Sequence, residues 1–106
     1  LLFQNQLTGL LLKIIIRRKE IEQELSKYLK KTRSNSSLDD IKKIIYNEEG
    51  QDDLTDIVMM FDVGQGASEM NTILETINDA WNYFPHKIIN GLSPVEMLLR
   101  HRESTD

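Results

Sequence analysis

Apolar residues in the first third of the chain recur at the spacing of a helix. Leu7, Leu10, Leu11, Ile14, Ile21, Leu25, Tyr28 and Leu29 are separated by three, four and seven positions or sit beside one another, the mark of an amphipathic α-helix. Residues 10–16 are apolar on nearly every side, and alone they read equally as a buried strand. The charged continuation over residues 17–31 keeps the helical period without a breaker, which predicts one long helix. Gly9 costs its first turns about 1 kcal/mol relative to Ala. So wide an apolar girth needs partners on more than one side, either the other helices or a second copy of the chain.

A polar break at residues 32–37 is the expected loop or hinge. Ser36 and Ser37 each precede an Asp by three residues (Asp39, Asp40), an approximate capping box that opens a second helix. Leu38, Ile41, Ile44 and Ile45 form its stripe, and Gly50 is the expected left-handed close. Asp52, Asp53 and Asp56 then fall in the first turn of a third helix, with Leu54, Ile57, Val58 and Phe61 as its buried face and Met59 and Met60 as packing. Residues 63–67 make a turn into a Ser68 N-cap; the Gly64-Gln65-Gly66 pattern lacks the third glycine or the Gly-Lys-Ser/Thr of a nucleotide loop.

A fourth helix over residues 69–83 has the cleanest period, with Met70, Ile73, Leu74, Ile77, Trp81 and Phe84 repeating at three and four. Pro85 stops it. Residues 85–91 are a loop anchored by Ile88 and Ile89 and turned at Asn90-Gly91. Ser93-Pro94-Val95-Glu96 is a capping box with proline at the first helical position, Leu92 is placed to staple onto Met97, and a short last helix runs to about His101 before fraying. The expected fold is all-α: one domain over residues 1–106, a bundle of about five helices, with a long helix in 1–33 and a helical core in 34–106. A chain beginning at Leu1 is expected to be a fragment of a longer protein.

Composition narrows the chemistry. The chain has 106 residues, 40% hydrophobic and 28% charged, an ordinary globular balance with room for one modest core. It contains no Cys, which removes disulfides, thiolate zinc sites and Cys nucleophiles together. Residues 1–16 are too short and interrupted for a membrane span and lack the features of a signal peptide, so a cytoplasmic protein with no membrane partner is expected. Charge is polarised: residues 1–33 carry eight cations against three carboxylates (+5), and residues 34–106 five against fourteen (−9).

Arg17, Arg18, Lys19, Lys27, Lys30, Lys31 and Arg33 are the candidate nucleic-acid contacts, since phosphates attract Lys and Arg without regard to sequence. Glu20, Glu22 and Glu24 interrupt them, and Arg18 with Glu22 is expected to pair across one turn. Six carboxylates and no cation lie between Glu48 and Asp62, but their spacing does not match a calcium loop. No metal or cofactor is therefore expected. Trp81 and His86 are the remaining candidate functional residues; the His86 imidazole suits a base or ligand, and equally suits satisfying loop backbone groups.

Residues 82–96, with Asn82, Pro85-His86, Gly91, Ser93-Pro94 and Glu96, resemble the motif that ends the catalytic cores of many integrases and transposases. The register agrees from Pro85 to Glu96. Upstream, Trp81 replaces the usual Tyr, two residues rather than three separate Asn82 from Pro85, and Phe84 replaces Arg. The resemblance covers about a sixth of the chain. That family binds catalytic metal with two Asp and one Glu on a ribonuclease H-like sheet, and no strand series precedes the motif here. No catalytic residue carries over; the resemblance implies a shared way of ending a helix, or a related protein of mobile-element or plasmid origin. The function expected first is a non-enzymatic protein-interaction or self-association module, with Leu10, Leu11, Ile14, Ile15 and Ile21 as its surface. A nucleic-acid accessory module comes second, and a metal-dependent hydrolase built on His86 and the acidic run third.

Overall fold

A computed structural model describes the backbone of residues 2–104 and the side chains of residues 8–101. It contains five α-helices: α1 (Leu2–Lys31), α2 (Leu38–Asn47), α3 (Asp53–Met59), α4 (Ala67–Tyr83) and α5 (Pro94–Ser104), with a single 3-10 turn at Lys87–Ile89. The all-α expectation holds. Leu7, assigned by periodicity to the α1 stripe, lies outside the described side chains.

α1 packs mainly on α4 and also touches α2 and α5, while α3 bridges α2 and α4. Ile21, Leu25 and Leu29 of α1 meet Ile41 and Ile45 of α2, Ile57 and Phe61 around α3, and Ile73, Ile77, Ala80 and Phe84 along α4. The absence of a long side chain at Ala80 lets α4 lie close to its neighbours. Thirty residues make α1 about 45 Å long, against a body measuring 51 × 25 × 22 Å. The bundle therefore encloses its second half, and its first half runs out beyond the core with α5 as its neighbour.

The helix ends show where local chemistry decides. α1 closes with Arg33 left-handed (φ 53°), while Ser34 N–H donates to Leu29 O at 3.0 Å and Arg33 N–H to Lys30 O at 3.2 Å, the paired bonds of a Schellman motif. α2 opens on Ser37, whose hydroxyl accepts from Asp40 N–H at 3.2 Å while Asp40 accepts from Ser37 N–H at 2.8 Å. It closes on left-handed Glu48 (φ 46°) rather than on Gly50, because its last turn ends two residues earlier than glycine placement suggests. α4 is capped at Gly66 (φ 96°) rather than Ser68, since the Gly backbone enters the helix from a conformation that L side chains rarely adopt. α5 continues to Ser104, three residues past the expected fraying point.

Burial corrects five further expectations. Leu54, Leu74, Met59 and Ile88 are exposed, Met59 by 69% and Ile88 by 76%. α3 has only seven residues, too short for a wide buried stripe, so Ile57 and Phe61 carry it. Ile88 sits in the 3-10 turn and points outward, and the loop is tied down by backbone bonds instead: His86 N–H donates to Leu92 O and Gly91 N–H to His86 O, both at 2.9 Å. Trp81 is half-buried rather than a core residue.

Candidate functional site

Three places carry the residues singled out by the sequence: the end of α4 around His86, the charged faces of α1, and the apolar first half of α1.

The His86 ring is 1% exposed. Its Nε2 lies 2.7 Å from Trp81 O, and because a carbonyl oxygen only accepts, Nε2 carries the proton. The reason is in the sequence. Trp81 O would receive the N–H four residues on, but that residue is Pro85, which has none. His86 supplies the missing donor. Trp81 packs edge-on against the same ring at 4.9 Å between centroids, and Glu48 Oε2 stands 3.6 Å from Nδ1. The neighbouring orphan, Tyr83 O, accepts from Arg18 Nε at 2.6 Å. His86 and Arg18 thus close the C-terminal end of α4 from two sides.

Arg18 also pairs with Glu96. Glu96 in turn accepts from Ser93 N–H at 3.0 Å and from Ser93 Oγ–H at 2.9 Å, while Glu96 N–H donates to Ser93 Oγ at 3.2 Å. Burial pushes the Glu96 carboxyl up, but the Ser93 backbone and hydroxyl bonds and the Arg18 charge outweigh it and hold the group below its ordinary range. The capping box was legible in the sequence; its link to α1 was not. Arg18 does not pair with Glu22, because Glu22 turns to α2 and meets Lys42.

The remaining charges of α1 sort by face. Arg17 reaches Asp79 at 2.6 Å, Glu24 at 3.2 Å and Glu20 at 3.5 Å; the Asp79 bond, working against burial, leads in raising its pKa. Glu24 also accepts from Thr76 Oγ1–H at 3.2 Å, and Lys31 pairs with Glu69 at 2.7 Å. Of the seven candidate cations, Arg17, Arg18 and Lys31 are therefore spent within the bundle. Lys19, Lys27, Lys30 and Arg33 are exposed and form no ion pair among the described residues. Two of the three carboxylates that break up the basic sequence have turned inward toward α2 and α4.

The five apolar candidates split in the same way. Ile14 and Ile21 are buried and belong to the body of the protein, not to a surface. Leu10, Leu11 and Ile15 are exposed, joined by Leu12 and Ile16; Leu11, Leu12, Ile15 and Ile16 stay 39–56% open. On the opposite flank, Leu10 and Ile14 line a groove of about 500 Å³ with Tyr83, Val95, Leu98 and Leu99. Leu12 and Ile16 belong to a run that is apolar but for Lys13, and they lie outside the stripe that includes Ile14 and Ile21.

The acidic run serves local structure. Asp53 accepts from Gly50 N–H at 3.2 Å and Asp62 from Gly64 N–H at 3.1 Å. Among the described residues no three His, Asp or Glu side chains gather at metal-binding distance. No described helix is long and apolar enough to cross a membrane. No protein-family model, curated protein or solved structure matches the chain.

Proposed function

We propose that the chain is a non-enzymatic interaction module that associates with itself through the exposed first half of α1, acting in the cytoplasm. The observation that carries this reading is the row Leu11, Leu12, Ile15 and Ile16, apolar and open to water on a helix whose opposite side buries Ile14 and Ile21. Together these side chains expose on the order of 400 Å², within the size of patch that marks interaction sites on soluble proteins. Lys13 is the one charged side chain among the first sixteen residues, so little repulsion keeps a partner away. In support of a non-enzymatic role, the one buried histidine is engaged in closing a helix.

Sedimentation equilibrium from about 1 μM to about 1 mM tests this. Wild type is expected to associate within that range, and Ile16→Lys to remain monomeric with unchanged helicity. A wild type that stays monomeric throughout with full helicity sinks the reading.

A second reading has its own observation. With Glu22 and Glu24 turned inward, Lys19, Lys27, Lys30 and Arg33 lie on the outside of α1 and its end with Glu20 as the carboxylate left nearby. Such a strip suits phosphate backbones, and the resemblance of residues 85–96 to integrase ends points toward the same mobile-element setting. Four phosphate contacts predict a slope of about −3 to −4 in log K against log salt. Failure to bind duplex or single-stranded DNA at low salt eliminates it.

A further inference from the structure

Resting on the self-association proposed above, we infer that the occupant of the exposed α1 face is a second copy crossing it antiparallel, on a two-fold axis between Leu12 and Ile16.

Leu12, Ile16, Lys19, Gln23, Ser26 and Lys30 are all exposed. They are spaced four, three, four, three and four, so they form one continuous seam on the side of α1 away from Ile14, Ile21 and Leu25. Only the first two members are apolar. A parallel pair in register would use the whole seam, placing Lys19 on Lys19 and Lys30 on Lys30 of the second copy. Like charges facing each other in a seam repel and lose water. The charge pattern therefore argues against parallel pairing.

Antiparallel pairing about the midpoint of Leu12 and Ile16 brings residue i opposite residue 28 − i. Leu12 then faces Ile16 of the second copy, and Ile15, which flanks the seam, lies beside Ile15 of that copy, about 3 Å away along the axis. Lys19 falls over Gly9 of the second copy. A Cβ built on Gly9 meets nothing within 4 Å, so that position is an open saddle in which a long stem lies down. Because the first twelve residues carry no charge, Lys19 meets an uncharged turn. Apolar surface on the order of 400 Å² per copy is about half of what a standard stable interface buries, which makes the pair concentration-dependent.

The chain contains no Cys, so single cysteines report the geometry. Gly9→Cys and Lys19→Cys chains carrying different tags are mixed in equal amounts and oxidised mildly at a concentration where wild type sediments as a dimer. Lys43→Cys serves as the control for random collision, being exposed on α2. The antiparallel pair predicts mixed 9–19 disulfides at least about tenfold over either like-with-like product. Like residues then lie about 15 Å apart along the axis, beyond the ~7 Å that a disulfide spans between Cα atoms. Like-with-like products at Lys19→Cys that match or exceed the mixed species overturn the inference in favour of a parallel pair. Association of wild type with no cross-link above the Lys43→Cys control overturns the register while leaving self-association standing. A monomeric wild type removes both.

Discussion

Glu96 is the side chain whose removal should be felt across the longest sequence distance. It accepts from two Ser93 donors and from Arg18, 78 residues earlier, and its side chain is only 18% exposed. Glu96→Ala leaves the buried Ser93 N–H without an acceptor and Arg18 without its carboxylate. A hydrogen bond to a charged group contributes about 1.5–3 kcal/mol, and an orphaned buried donor costs about 1–3 kcal/mol. The losses overlap, because Arg18 keeps the Tyr83 carbonyl and Ser93 Oγ still caps Glu96 N–H. We therefore expect about 3 kcal/mol, lowering Tm by roughly 10–20 °C in a domain of this size. Glu96→Gln keeps an acceptor and the capping geometry and should cost about 1 kcal/mol.

Acid supplies the control. The folded Glu96 carboxyl lies below its ordinary value of 4.5, so its stabilisation is fully present above that value and is lost as pH falls through the lower, folded one. Asp40 is shifted in the same direction, first by the Ser37 backbone N–H, so the wild-type curve alone does not isolate Glu96. The difference between wild type and Glu96→Gln does: it should be full at pH 7 and close progressively in acid below pH 4.5. Urea unfolding followed by circular dichroism measures both quantities. A Glu96→Ala protein within 0.5 kcal/mol of wild type at pH 7, or a wild-type-to-Gln gap that does not change with pH, would refute the reasoning.

Three other outcomes follow from the same structure. Ile21→Ala should cost about 2–5 kcal/mol as a core cavity, whereas Leu12→Ala should change the monomer by less than about 0.5 kcal/mol; equal effects in denaturant titrations would mean that the faces of α1 are wrongly assigned. Trp81→Ala should cost about 2 kcal/mol, below the range of a fully buried aromatic, and His86→Phe about 1–3 kcal/mol through the orphaned Trp81 carbonyl; a neutral His86→Phe would show that its ring is not what closes α4. Arg33→Gly should stabilise by up to about 1 kcal/mol, since Arg33 holds φ 53° and Gly adopts that conformation without a Cβ penalty. A lower Tm would point instead to a contact made by its side chain.

What the sequence made readable was local. The Ser37 and Ser93 caps, the stop at Pro85 and the amphipathic period of α1 and α4 each depend on residues within a turn or two of one another. The role of His86 was also within reach, because a proline at position 85 removes the N–H that Trp81 O would otherwise receive. Pairings between distant charges were not readable. Nothing in the spacing of Arg18 and Glu22 says that one turns to Glu96 and the other to Lys42; an i,i+4 pair gains only a few tenths of a kcal/mol on a helix surface, too little to hold them once better-placed partners exist. The period placed Ile14 in the stripe and left Leu12 and Ile16 out of it, but the exposure of Leu10 and Leu11, which share that stripe, depends on where α4 and α5 end, which no local pattern encodes.

The clasp between Arg18 and Glu96 also sets a timetable. α1 is made before α2, α3 and α4, and α5, which flanks its outer half, follows all of them. At about 5–20 residues per second, roughly 4–16 s separate the synthesis of Arg18 from that of Glu96. Throughout that interval Leu10 and Ile14 lack α5, and Arg18 lacks the carboxylate that pairs with it beside the end of α4. The nascent chain thus displays more apolar surface along α1 than the folded one, until α5 arrives.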